Sequence, residues 1–229
     1  MEENNLKQAI NGAYEFCEKQ QTALDKGEIS EEEWFEIHNK FFTEIYLKSD
    51  NPRLQSGHRG DEARYRYTQG MILEAFWKDG SFIDIGCANG YLIEKLQQWI
   101  RNSGITINFY GLDISRGLIE AAKKRLPGLK ENLFFGNGLY WKPPMKFDYV
   151  CVRELDYVPK GKRRDFFFHL YDFLSSNGRL ILGPFTENGM DKGLINEIEE
   201  WGIKPSGFCF KSHQDHKQLC RKLYWFDKN

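Results

Sequence analysis

The sequence predicts an α/β fold, a mostly parallel sheet covered by helices on both faces and entered through a helical N-terminal extension. Three observations carry that expectation. From Ser81 onward, short apolar runs alternate with amphipathic helical patterns, as strands and crossover helices of a parallel sheet do. Residues 1–80 instead repeat their apolar positions at helical spacing. At the junction stands Ser81-Phe-Ile-Asp-Ile-Gly-Cys-Ala-Asn-Gly-Tyr-Leu-Ile-Glu-Lys95, which reads as a buried strand, a glycine-bearing turn and the start of a helix.

Taken in order, Leu6, Ile10, Ala13, Tyr14 and Cys17 place a first helix from roughly Asn4 to Asp25. Ser30-Glu-Glu-Glu33 is a capping-box signature that puts acidic side chains at the positive end of a second helix. That helix carries Trp34, Phe35, Ile37, Phe41, Phe42 and Ile45 as a broad apolar face, with Trp34, Phe35, Phe41 and Phe42 read as packed against the core. Asn51-Pro52 through Gly60 breaks it, and a third helix is expected from about Asp61 to Trp77. Strands are expected at 81–85, 106–112, 132–136, 147–152, 178–183, 205–211 and 220–226. Helices are expected at about 90–102, 115–126, 161–174 and 189–201. Leu92, Ile93, Leu96, Trp99 and Ile100 give the first of these a sheet-facing stripe, and Ser115 can cap the second. Asn177-Gly178 marks a turn before the fifth strand. Residues 1–80 are thus read as an extension or lid, and residues 81–229 as the core.

A chain of 229 residues suits one α/β domain with an appendage. Its 32 Lys+Arg against 33 Asp+Glu give no support to a sequence-independent nucleic-acid binder. Ten acidic residues against three lysines in 1–36, and six basic residues against two aspartates in 203–229, read as solvated faces. The polar start and the lack of an apolar run near ~20 residues lead us to expect neither a signal segment nor a membrane span. Five scattered cysteines without Cys-x-x-Cys suit a reducing cytoplasm. Cys209, His213, His216 and Cys220 are spaced loosely like a zinc site but are read as part of a terminal hairpin, so no metal is expected.

Open α/β sheets bind ligands beyond the carboxyl ends of their strands. The first strand is followed by Asp84, Gly86, Cys87, Ala88, Asn89 and Gly90, and glycine there lets the main chain approach a nucleotide-like ligand. A dinucleotide fingerprint would need glycines at 88 and 91, where the chain has Ala88 and Tyr91. Asp113 ends the second strand, where a carboxylate can accept from two ribose hydroxyls; Ile114 follows it. Asn137 and Gly138 follow the third strand. Val152-Arg-Glu-Leu-Asp-Tyr-Val-Pro159 follows the fourth, with Arg153, Glu154, Asp156 and Tyr157 clustered where a structural loop needs few polar groups.

The turn after the first strand resembles motif I of the class I S-adenosylmethionine (SAM) dependent methyltransferases, Asp-x-Gly-x-Gly-x-Gly. Asp84, Gly86 and Gly90 match it, and Ala88 stands at the middle glycine. The chain is similar to bacterial members whose family name supplies no acceptor, over roughly residues 81–226. The resemblance implies a seven-stranded, Rossmann-like class I methyltransferase sheet whose last strand inserts antiparallel between the fifth and sixth. It implies SAM as cofactor, held by Asp84, Gly86, Cys87, Ala88, Asn89, Gly90, Asp113, Ile114, Asn137, Gly138 and Arg153. Asn137 stands where the family usually has an aspartate that accepts from the adenine amino group.

The segment Gln55–Tyr67 resembles the lid of many relatives, so Arg64 or Arg59 is expected at the cofactor's carboxylate and His58 at the substrate. A base is needed only if the acceptor must lose a proton; Glu154 is the first candidate, then Asp156 and His58. The activity implied is methyl transfer to a small-molecule acceptor by in-line displacement. The alternatives are a protein or RNA methyltransferase, and a SAM-binding interaction protein without turnover. The sequence leaves the oligomeric state open.

Overall fold

The computed structural model describes residues 15–188, 193–214 and 219–228. Seven strands form one sheet: β1 (Gly80–Ile85), β2 (Ile107–Asp113), β3 (Leu133–Phe135), β4 (Phe147–Val152), β5 (Leu174–Asn188), β6 (Gly207–Ser212) and β7 (Leu219–Asp227). Their order is β3-β2-β1-β4-β5-β7-β6. Strands β1 to β5 pair in parallel, and β7 runs antiparallel to both β5 and β6. The last strand therefore lies between the fifth and sixth, as the resemblance implied. The central strands β1 and β4 are covered on both faces, which is why they read as continuous apolar runs.

The helices are α1 (residues 15–25), α2 (Glu31–Leu47), α3 (Glu62–Gln69), α4 (Tyr91–Ile100), α5 (Arg116–Arg125), α6 (Arg163–Asp172) and α7 (Gly193–Glu200). Leu92, Ile93 and Leu96 of α4 and Ile119 and Ala122 of α5 fill one buried cluster. Phe166, Phe167 and Leu170 of α6 and Ile195 and Ile198 of α7 fill the other, across the sheet. From β1 the chain passes outward to β2 and β3, then crosses back to β4 on the other side of β1. The loops diverge at that switch point, the place at the carboxyl ends of β1, β2 and β4 where open α/β sheets have their ligand crevice.

Local signals explain most element boundaries. The capping box at α2 is complete: Glu33 N–H donates to Ser30 Oγ at 3.2 Å, and Ser30 N–H donates to the Glu33 carboxylate at 2.7 Å. Ser115 caps α5 by accepting from Leu118 N–H, and Asp61 caps α3 by accepting from Arg64 N–H. The α2 face expected in the core is largely there: Trp34 and Phe35 are buried, Phe41 and Phe42 partly so.

Two expectations are corrected. The third helix does not run to Trp77; it ends at Gln69, and Gly70–Ala75 winds more tightly as a 3₁₀ turn. Gly70 is a poor helix former, and the tighter winding buries Met71, Ile72 and Ala75 completely. The Asn177-Gly178 pair is a bulge inside a long β5, with Asn177 at φ +58° and the register slipping between Phe147 and Tyr149. The expected start of the first helix before residue 15 and the beginning of the expected 189–201 helix lie outside the described residues. So does His216.

Candidate active site

The turn after β1 is built by a chain of backbone bonds. Gly86 and Cys87 N–H both donate to Leu112 O, at 2.8 and 3.0 Å, and Gly90 N–H donates to Cys87 O at 2.9 Å. Gly86 sits at φ +80° and Gly90 at +75°, left-handed values that favour glycine. Gly90 also permits close helix packing, because a β-carbon there would lie 2.9 Å from Leu126 Cδ1. Ala88 adopts φ +48° without being glycine, so the residue standing at the family's middle glycine keeps the glycine conformation at some strain.

Two buried carboxylates lie at this turn, and Asp113 holds it. Asp113 accepts Ala88 N–H at Oδ2 and Ser115 N–H at Oδ1, both at 2.8 Å. Burial pushes its pKa up to about 6, although those two bonds pull it down. Asp84 is 2% exposed, and its Oδ1 has no hydrogen-bond partner. Burial pushes Asp84 up to about 7; nearby Arg153 opposes the rise and Asp113 adds to it.

Arg153, just past β4, faces the same space. Its Nη1 lies 3.2 Å from His58 Nδ1, while its buried Nε has no partner. The same His58 Nδ1 lies 3.3 Å from the carbonyl oxygen of Ser56, so a donor and an acceptor both face that nitrogen. Burial, and then the Arg153 charge, hold His58 well below the ordinary histidine range, so the ring is neutral. Burial disfavours the Arg153 charge, yet Tyr157 and Glu154 beside it raise its pKa overall. The ring of Tyr157 lies on Gly86: a β-carbon at 86 would be 2.7 Å from Tyr157 Cε2. Tyr65 is buried edge-on to His58 with its hydroxyl unpartnered.

The predicted residues divide into two groups. Asp84, Gly86, Ala88, Asp113, Ile114, Arg153, Glu154 and His58 gather around the crevice. Cys87 and Asn89 face away from it. The Cys87 thiol packs where a Gly111 β-carbon would be, and Asn89 donates to Pro52 O and Gln55 Oε1, tying the turn to the upstream loop. Asn137 uses its side-chain oxygen to accept Leu139 N–H at 3.0 Å, an Asx turn that occupies one lone pair of the oxygen expected at the adenine. Gly138 packs against Ile85 and Phe166.

Arg64 turns toward the C-terminal hairpin. It lies on the α3 face that meets the β6–β7 hairpin, with Nη2 2.7 Å from His213 Nε2 and Tyr67 O–H donating to Ser212 O alongside. Asp156 is exposed and pairs with Arg163. No group of three or more metal-ligating side chains occurs among the described residues.

Sequence reasoning missed Tyr46, Tyr65 and the packing of Tyr157 on Gly86. Tyr46 is electrostatically close to Arg153, Glu154 and Asp113, so α2 reaches the centre of the crevice. Its spacing on the apolar face of α2 was the available signal.

The family's cofactor pairs an adenosine with the zwitterion of an amino acid, and this crevice fits it. A bare glycine, a partnerless buried carboxylate oxygen, a partnerless guanidinium nitrogen and a strand-end aspartate are all present. Residues 82–178 match the family model described as a methyltransferase domain. Residues 82–178 thus carry a methyltransferase domain, on a sheet with the strand order expected of the class I fold.

Among solved structures, it is similar to the 1,6-didemethyltoxoflavin-N1-methyltransferase of Burkholderia thailandensis, with bound 1,6-didemethyltoxoflavin and S-adenosylhomocysteine. That match has a TM-score of 0.64 and 11% identity, covering 88% of this chain and 91% of that one. A second is the magnesium protoporphyrin IX methyltransferase of Synechocystis PCC 6803 with bound SAM, at TM-score 0.58 and 17% identity, covering 85% and 97%. A third is the N-methyltransferase NodS of Bradyrhizobium japonicum WM9 with S-adenosylhomocysteine, at TM-score 0.53 and 15% identity, covering 83% and 97%. At these identities the likeness is one of fold. No curated protein sequence is significantly similar to the chain.

Proposed function

We propose that this chain transfers the methyl group of SAM to a small-molecule acceptor by in-line displacement. The observation that supports this most is the pair of unsatisfied buried atoms, Asp84 Oδ1 and Arg153 Nε, on either side of the turn after β1. Leaving a buried charged group unsatisfied is costly, and an amino-acid zwitterion offers an ammonium to the one and a carboxylate to the other. When bound, SAM supplies a methyl carbon on a positively charged sulfur.

The protein's own residues do the rest. Asp113 keeps a second lone pair on each oxygen after binding the amides of Ala88 and Ser115, and these accept the ribose hydroxyls. Ile114 and the Gly136–Asn137–Gly138 turn flank the base. Use of the bare Gly86 α-carbon requires the Tyr157 ring to turn away, which makes that ring a wall between cofactor and acceptor. Glu154, close to Arg153 and Cys17, takes the proton of a hydroxyl or ammonium acceptor. Neutral His58 stands beside Arg153 as the next proton acceptor. The N-terminal helices complete the acceptor pocket and serve as its lid.

The small-molecule reading draws support from two neighbours named for small substrates, 1,6-didemethyltoxoflavin and magnesium protoporphyrin IX. The near-neutral charge gives RNA little to bind. No helix among the described residues is long and apolar enough to cross a membrane. All five cysteines are free, in keeping with a reducing cytoplasm.

The test is incubation with SAM tritiated on its methyl and a cell extract, followed by separation of metabolites from macromolecules. Label in the metabolite fraction is the expected result. Label confined to macromolecules would put a protein or RNA substrate in its place, and SAM binding without any label would leave a non-catalytic binder.

A further inference from the structure

Helix α2 carries four ring side chains on one stripe, Trp34, His38, Phe42 and Tyr46, each four residues from the next. Successive ring centroids lie 3.6, 6.3 and 6.0 Å apart. At one end Trp34 belongs to the same buried cluster as Leu155 and Val158, which follow β4. At the other, a β-carbon on Gly57 would lie 2.5 Å from the Tyr46 hydroxyl, and Tyr46 is within electrostatic reach of Arg153, Glu154 and Asp113. Phe16 of α1 closes the side, edge-on to His38 at 5.2 Å.

Two polar atoms on this stripe are unsatisfied among the described residues. Trp34 Nε1 and His38 Nε2 are buried without a hydrogen-bond partner among the described residues, on side chains only 4% and 8% exposed. His38 Nδ1 lies 2.8 Å from Trp34 O; a carbonyl only accepts, so Nδ1 carries the hydrogen and Nε2 a bare lone pair. Burial lowers the His38 pKa and keeps the ring neutral. A donor and an acceptor sit side by side on stacked rings, desolvated and unsatisfied, an arrangement that packing alone disfavours. A ligand with a flat face and the complementary pair of atoms satisfies both.

We propose that this stripe binds the methyl acceptor, and that the acceptor is a planar aromatic or heteroaromatic molecule bearing a hydroxyl or ring N–H. It lies against the rings, donates that hydrogen to His38 Nε2 and accepts from Trp34 Nε1–H at its oxygen or a ring heteroatom. This rests on the methyl-transfer reading, since it names the substrate class of the same site. Phe42 and Tyr46 supply further ring surface toward Arg153.

The full chain saturated with S-adenosylhomocysteine is titrated calorimetrically with naphthol and with its fully saturated counterpart, decalinol. Naphthol binds at least about tenfold more tightly. His38→Phe, which keeps a ring and removes both ring nitrogens, and Trp34→Phe, which removes the indole N–H, each weaken it by about tenfold. Affinity for S-adenosylhomocysteine changes by less than about twofold. In the wild-type chain the His38 Nε2 signal in nitrogen NMR shifts when naphthol is added, a readout that stands even if a variant does not fold. Absent naphthol binding, equal binding of decalinol, or an unmoved His38 signal, with S-adenosylhomocysteine still bound, overturns the proposal. Failure of S-adenosylhomocysteine itself to bind removes the methyl-transfer reading instead.

Discussion

The carboxylate of Asp113 accepts the amide hydrogen of Ala88 at 2.8 Å, so the residue that ends β2 also holds the turn that follows β1. Its other oxygen takes Ser115 N–H, which pins the start of α5 as well. Asp113 therefore has a structural duty independent of any ligand. Asp113→Ala orphans both amides and should lower stability by about 1–3 kcal/mol in urea unfolding. Asp113→Asn keeps one acceptor oxygen and should lose less. Equal stability of the wild type and Asp113→Ala would mean that these bonds contribute nothing.

Ala88 at φ +48° pays for a conformation that glycine adopts freely. Ala88→Gly should raise stability, by up to about 1 kcal/mol after the entropy lost from the unfolded chain is set against the strain. Thermal unfolding checks it, and a lower midpoint in the variant would contradict the strain argument.

Gly86 meets two obstacles to substitution, its φ of +80° and the Tyr157 ring. Gly86→Ala should lose stability and S-adenosylhomocysteine binding together. Tyr157→Ala alone should bind S-adenosylhomocysteine more tightly than the wild type, because the ring no longer has to leave Gly86. Weaker binding in Tyr157→Ala would show that the ring belongs to the cofactor site rather than obstructing it.

The pKa of Asp84 rises from 3.8 unfolded to about 7 folded, and that of Asp113 to about 6. A raised carboxyl favours its protonated form in the native state, so its contribution to stability is full below pH 3.8 and is lost as pH rises through 6 and 7. Relative to Asp84→Asn, the ligand-free wild type should lose stability between pH 5 and 8, by on the order of 2–4 kcal/mol. The stabilisation conferred by S-adenosylhomocysteine, whose ammonium pairs with the ionised carboxylate, should grow over the same interval. Thermal midpoints with and without ligand measure both, and parallel wild-type and Asp84→Asn curves would sink the assignment.

Most of the fold was legible because its signals are local. The strand–turn–helix at Ser81–Lys95, the Ser30 and Ser115 caps and the sheet order each follow from a few adjacent residues or from the resemblance they carry. The third helix was over-extended because apolar residues after Gly70 continue a helical pattern while burial selects a tighter winding. At the candidate site, Gly86, Asp113 and Arg153 lie together because the backbone alone sets their positions. Side-chain direction depends on distant partners and was not legible. Arg64 was drawn to the hairpin and Asp156 to Arg163, while Asn89 was drawn to Pro52 and Gln55. Asn137 was taken by its own turn, a local outcome that the Asn-Gly pair foretold.

Calorimetric titration of the wild type and of Asp113→Asn with S-adenosylhomocysteine tests the central claim most directly. The account predicts binding of one ligand per chain to the wild type and at least about tenfold weaker binding to the variant, through the lost charge on the ribose bonds. No heat of binding in the wild type, or an identical affinity in Asp113→Asn, would contradict it.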